Sequence, residues 1–217
     1  MAEHLSDLAA SWRRDLRAAD KAERTIVIYT QAVRFFADWV AAQGREPTAD
    51  ALTKHTISAW LGALLDAGQS PQTVLTRYKG LRRFTRWLLA EGDLVVDPMA
   101  GLEQPKPRPA PVPVLTDDEI GRLLKVTAGS EFVDRRDHAI LRVLFDCGLR
   151  ISECAGLRVD DVDLDSGEKR SRGLDVLYVV GKGRKPRTVP YGAKTARALD
   201  RYLRARRGHR HADEAAL

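Results

Sequence analysis

The 217-residue sequence holds only two cysteines and five histidines, and nowhere gathers them at metal-ligand spacing. Cys147 and Cys154 therefore read as small buried hydrophobes, not as a disulfide framework or a zinc site. No metal and no small-molecule cofactor is expected. No apolar run approaches the roughly 20 residues of a membrane span, and none at the N-terminus has the length of a signal peptide's core. The expectation is a cytoplasmic protein with no membrane partner. Aromatic residues are sparse, at 6%, and no G-x-x-x-x-G-K-[ST] sequence exists to cradle a nucleotide phosphate. With 44% hydrophobic residues, the chain still has material for one large core or two small ones.

Positive charge is plentiful, and it is unevenly placed. The formal net charge is +6; of 36 basic and 30 acidic residues, 13 of each lie up to Glu103, so all of the excess lies beyond it. Between Gly181 and Arg210 stand 11 basic residues and a single acid, Asp200. That concentration suits a polyanionic partner. The bland alternative, a solvated helix face and a basic tail, accounts for the last five or six of these charges.

Proline punctuates the middle of the chain. Pro105, Pro107, Pro109, Pro111 and Pro113 alternate, removing backbone donors and fixing φ, so residues 104–115 read as a stiff extended linker. Directly after it, Thr116 and Glu119 form a T-x-x-E capping box that opens a new helix. Two domains follow, residues 1–103 and 116–217.

The first domain reads as helices throughout. Ile26, Tyr29, Val33, Phe36 and Val40 recur at steps of three and four; Ile57, Leu61, Leu64 and Leu65 do so after a Thr53 cap; a weaker pattern covers Leu5 to Leu16. Gly44, Gly68 and Gly92 close successive helices, and the fourth opens on Ser70 as cap with Pro71 in the first turn. That fourth helix carries Val74, Tyr78, Leu81, Phe84 and Leu88 on one side. Lys79, Arg82, Arg83 and Arg86 fall nearly opposite, a stripe whose mutual repulsion a phosphate backbone would relieve. A solvated basic face is the equal alternative on this helix alone. Arg77 lies on the apolar side and fits neither.

In the second domain, Leu123 and Leu124 follow the capping box, and Ala139, Ile140, Val143, Leu144 and Cys147 line a helix that stops at Gly148. "LDVLYVV", "GKGRKP" and "RTVPY" read as strand, turn and strand. A basic helix follows, its core side set by Ala196, Leu199 and Leu203. Arg150, in "FDCGLRISECAGL", sits just inside the start of the next helix, where a cation is disfavoured by the exposed N–H groups. An anion would be welcomed there by those same groups together with the forked guanidinium. The plain alternative is a surface ion pair of Arg150 with Glu153 or Asp146. His55 and His138 read as helix-face residues without partners or roles.

Taken together, "CGLRISECAGLRVDDVDL" and "YVVGKGRKPRTVPY", behind an all-helical first domain, resemble the first arginine box and the β-hairpin lysine of the tyrosine recombinases, the phage-integrase and Xer-like family. "RTIVIYTQAVRFFADWV" and "SPQTVLTRYKGLRRFTRWLLAEG" are similar to helices of that family's core-binding domain. The fold this implies is mainly α: a SAM-like helical-bundle core-binding domain, then the N-terminal part of an α+β catalytic domain with a small β-hairpin. Cys147 and Cys154 depart from the family's usual Thr and larger aliphatic residue. The segment "DSGEKRSRG" is longer than in compact members, which bears on the reach of the hairpin lysine.

What the resemblance implies is metal-free phosphoryl transfer on duplex DNA through a tyrosine-linked intermediate. Arg150 would hold the phosphate bidentately, and Lys182 would protonate the departing 5′-oxygen, with Lys185 as the competing lysine. Glu153 would hold Arg150 in place. Lys79, Arg82, Arg83, Arg86, Lys185 and Arg187 are the expected DNA contacts. The family's His-x-x-Arg box and late nucleophilic tyrosine have no match in "GHRHADEAAL" or elsewhere, so the expectation is a C-terminally truncated recombinase that binds DNA without cutting it. Its partners would be duplex DNA and a recombinase tetramer or full-length relative. A non-catalytic DNA-binding regulator and a basic RNA-binding protein are the alternatives.

Overall fold

In the computed structural model, residues 3–108, 111–164, 175–181, 183, 185–210 and 212–217 are described. The chain packs as two compact units, residues 1–111 and 112–217.

Four helices build the first unit: α1 (Leu5–Ala18), α2 (Glu23–Ala42), α3 (Lys54–Asp66) and α4 (Pro71–Glu91). Their ends are set by local chemistry. Thr53 accepts from the Thr56 N–H, Ser70 accepts from the Thr73 N–H, Pro71 spends no donor in the first turn, and Gly92 takes the left-handed conformation that ends α4. The apolar stripes then meet in one core. Trp12 lies against Phe84 at 5.2 Å between ring centroids, and Phe36 meets the edge of Trp60 at 5.3 Å. The α2–α4 seam is closest at Gly80, where a Cβ would lie 2.6 Å from that of Ala32. Tyr78 donates its hydroxyl to the Leu102 carbonyl at 3.1 Å, tying the end of the unit to α4.

Residues 103–108 and 111–115 carry no regular structure, as alternating prolines dictate; Pro109 lies outside the described residues.

The second unit contains α5 (Asp117–Val126), α6 (Phe132–Cys147), the single turn α7 (Ile151–Cys154), strands β1 (Val162–Asp163), β2 (Asp175–Val180) and β3 (Pro186–Tyr191), and α8 (Ala193–Arg206). Thr116 and Glu119 form the full reciprocal capping box at α5. The strands make an antiparallel sheet in the order β1-β2-β3, with Leu177 opposite Val189 and Val179 opposite Arg187. Leu177 and Val179 are buried while Tyr178 and Val180 face outward, the period-two alternation of a half-buried sheet. Beneath it α6 packs on α8 around Ala139, Val143, Ala198, Leu199 and Tyr202.

Several features here depart from the sequence reading. The sheet has a third, two-residue strand. The core side of α8 is wider than read: Leu199 is buried and Ala196 and Leu203 are part-buried against the core, joined by buried Ala198 and Tyr202. Arg206, counted among the basic surface residues, is buried and donates to the carbonyls of Ala212, Glu214 and Ala216. Those bonds dock residues 212–217 against the loop after α7, where the Val159 N–H donates to Ala215 and the Leu217 N–H to Leu157. His138 is not without partners: its Nδ1 lies 3.1 Å from the Thr127 hydroxyl, and Arg142 approaches its other nitrogen at 3.4 Å. Cys147 and Cys154 are part-buried free thiols packed on the core, and burial pushes the Cys147 thiol up to about 11.

Candidate phosphate site and nucleic-acid interface

The loop that presents Arg150 is short and tightly specified. Gly148 adopts the left-handed conformation that ends α6, Leu149 is buried, and Arg150 follows with an extended backbone. The helix expected after it is one turn long, too short to add a useful dipole. The Arg150 N–H is already satisfied by Glu153 Oε2 at 2.9 Å. The anion-seeking element is thus the guanidinium, not a helix terminus. Its side chain is 68% exposed, with Nη1 2.9 Å from Glu153 Oε1.

Glu153 is the centre of the arrangement. Its side chain is only 5% exposed, and burying a carboxylate demands partners for its charge. Arg187, 34 residues on and in β3, supplies them as a fork: Nη1 to Oε1 at 3.0 Å and Nη2 to Oε2 at 2.9 Å. The Arg187 guanidinium first, then the Arg150 N–H and guanidinium, outweigh burial and hold the Glu153 carboxyl down at about 2. The pairing of Arg150 with Glu153 thus leaves most of the guanidinium exposed to solvent. Asp146, the other suggested partner, is engaged elsewhere: it accepts from the Gly192 N–H at 2.8 Å and the Thr195 hydroxyl at 2.7 Å, capping α8 from α6.

Arg187, expected among the DNA contacts, bonds to Glu153 while its side chain stays 40% exposed. Strand periodicity carried the signal. Arg187, Val189 and Tyr191 fall on one face of β3, and Tyr191 is buried with its hydroxyl donating to the Asp163 carbonyl. That burial drives the Tyr191 phenol pKa upward. Lys185 is exposed in the turn, where its carbonyl accepts from the Gly181 N–H at 2.9 Å. Lys182 lies outside the described residues, as do Arg184 and the segment 165–173.

In the first unit, Lys79, Arg83 and Arg86 stand exposed along one face of α4. Arg82 leaves that stripe. It is half-buried beside Tyr78, its Nη1 3.4 Å from the phenol oxygen, and its Nε is enclosed without a hydrogen-bond partner among the described residues. Arg77, which fitted no pattern, lies over the Phe35 ring at 4.2 Å, with Arg34 over the same ring at 5.0 Å. Among the described residues no group of three or more His, Cys, Asp or Glu side chains is placed to hold a metal.

Comparison with known proteins bears on both units. Residues 8–92 match the N-terminal SAM-like domain of phage integrases and residues 113–216 match the phage integrase family. Tyrosine recombinase XerD of Bifidobacterium longum (strain NCC 2705) is 34% identical over 191 residues, which cover 86% of this chain and 59% of that protein. Tyrosine recombinase XerC of Mycobacterium bovis (strain BCG / Pasteur 1173P2) is 37% identical over 163 residues, covering 73% and 52%. The chain thus spans little more than half the length of these relatives. The crystal structure of XerH site-specific recombinase bound to difH substrate, a pre-cleavage complex, superposes with a TM-score of 0.67 at 17% identity, covering 100% of this chain and 62% of that one. A lambda integrase tetramer bound to a Holliday junction gives 0.67 at 16% identity, covering 95% and 55%. At such identities the likeness to the solved structures is one of fold.

Proposed function

This chain belongs to the phage integrase family of tyrosine recombinases, and from that premise we propose that it binds duplex DNA for site-specific strand cleavage and rejoining. The observation that carries the reading is the Arg150 guanidinium, exposed and held from behind by a buried carboxylate. In this chemistry a tyrosine oxygen attacks a DNA phosphate and displaces the 5′-oxygen of the next nucleotide. Negative charge grows on the non-bridging oxygens, so positioned donors lower the barrier. Arg150 supplies such a donor, and a lysine there would lack its fork. Lys182, from its place in the sequence, is the residue to protonate the departing 5′-oxygen.

Lys79, Arg83 and Arg86 would fix the helical unit on the phosphate backbone, contributing affinity without sequence readout. These 217 residues contain no His-x-x-Arg sequence, and Tyr191 and Tyr202 are buried core residues. On their own, then, they bind duplex DNA and do not cut it. The partners proposed are DNA and other recombinase copies, in keeping with the tetramer on a Holliday junction formed by lambda integrase.

The test is competition between duplex DNA and duplex RNA of the same sequence, read by fluorescence anisotropy from 50 to 200 mM salt. Preference for DNA with a steep salt dependence is expected, and preference for RNA would overturn the reading. A covalent protein–DNA adduct on a nicked duplex would overturn the non-cutting part alone.

A further inference from the structure

The Glu153 carboxylate has two oxygens with two lone pairs each, and four donors fill them. Oε1 accepts from Arg150 Nη1 and Arg187 Nη1; Oε2 accepts from Arg187 Nη2 and the Arg150 backbone N–H. A second guanidinium bond from Arg150 would have to displace one of these. Arginine and carboxylate otherwise favour the two-bond fork, so a Glu153 relieved of Arg187 would draw Arg150 into one and turn the guanidinium away from solvent.

We infer that Arg187 is a positioning residue: by saturating Glu153 it confines Arg150 to a single bond and keeps the remainder of that guanidinium available to a DNA phosphate. The inference rests on the DNA-binding reading above and adds a residue that serves it without touching DNA. Gly181 belongs to the same device. A Cβ there, just past the end of β2, would lie 2.7 Å from Arg187 Nη1 and 3.5 Å from Glu153 Oε1, so a side chain at 181 would push the Arg187 guanidinium aside.

The experiment uses the 217-residue chain, a duplex selected by the protein from a randomised pool, and binding at one fixed salt concentration. Arg150→Ala should weaken binding about tenfold, the scale of one charge-assisted contact. Arg187→Met should weaken it similarly, and the double variant should be within about twofold of Arg150→Ala, because both act through one guanidinium. Arg187→Lys keeps the charge but not the fork and should stay well below wild type. Gly181→Ala, which leaves every charged group in place but crowds Arg187 Nη1, should weaken binding in the same direction and by less than Arg187→Met.

Additive losses, with a salt slope reduced by about one for Arg187→Met, or full recovery in Arg187→Lys, would show that Arg187 meets phosphate itself and would overturn the inference. A second readout needs no DNA: the Nε–Hε resonance of Arg150 should shift in Arg187→Met, and an unmoved resonance there would equally overturn it. If Arg150→Ala leaves binding unchanged, the DNA-binding role of Arg150 is what fails, while the resonance still decides whether Arg187 positions it.

Discussion

Replacing Gly80 by alanine tests whether the α2–α4 seam is set by contact or only tolerates it. In the interior of a free helix the change is favourable by about 1 kcal/mol. At this seam the new Cβ would stand 2.6 Å from that of Ala32. Ordinary carbon contacts are about 3.5–4.0 Å, so the helices must part by roughly 1 Å, at an overpacking cost of about 1–3 kcal/mol. The net expectation is a loss of up to about 2 kcal/mol. Adding Ala32→Gly removes the collision and merely exchanges one helical glycine for another, so the double variant should return to within about 0.5 kcal/mol of wild type. All four tryptophans, Trp12, Trp39, Trp60 and Trp87, lie in the first unit. Their fluorescence during urea unfolding therefore reports that unit's stability directly. A Gly80→Ala protein more stable than wild type by about 1 kcal/mol would refute the reasoning. The seam orients α4, and with it Lys79, Arg83 and Arg86, the residues proposed to meet the phosphate backbone.

Three further outcomes follow from the same structure. Alanine at Lys79, Arg83 or Arg86 should each lower the slope of log affinity against log salt by about one, measured by anisotropy on duplex DNA; unchanged slopes would leave that face merely solvated. Glu153 has a folded-state carboxyl near 2 against an ordinary 4.5, so its stabilisation is complete above about 4.5 and is lost as pH falls through about 2. Glu153→Gln should accordingly melt below wild type at pH 7 by circular dichroism, with the gap closing between those two pH values; a gap that stays constant there would sink the assignment. Arg206→Met deletes three charge-assisted bonds to the last residues, so amide exchange at Val159 and Leu217 should accelerate by at least about tenfold. Equal protection in both proteins would mean that the segment is held by something else.

Local signals carried most of the fold. Ser70–Pro71, Thr53, the Thr116–Glu119 box and Gly148 each act within a turn of their own residue, and all four stand where the sequence placed them. What the sequence hid depends on partners far along the chain. Arg206 looks like surface charge until residues 212–217 fold back over it. Arg82 has the right helical angle for the basic stripe, but Tyr78 beside it, bonded to the Leu102 carbonyl, gives it an apolar bed. On α8, Ala196, Leu199 and Leu203 do face the core, but the sequence pattern missed Ala198 and Tyr202, which are buried beside Leu199. At the candidate site, the Glu153–Arg150 relation was legible as a three-residue spacing. The fork from Arg187 was not, since a basic segment read as a whole conceals which of its arginines finds a carboxylate 34 residues away.

In the proposed function the Arg150 guanidinium meets one particular DNA phosphate, a contact open to measurement. Neutralising phosphates one at a time with methylphosphonate, in a duplex the protein itself selects, addresses it most directly. Wild type should lose about tenfold in affinity at one position where Arg150→Ala loses nothing, since the contact is already gone. Superimposable scans for the two proteins would mean that Arg150 touches no phosphate, and the account would be wrong.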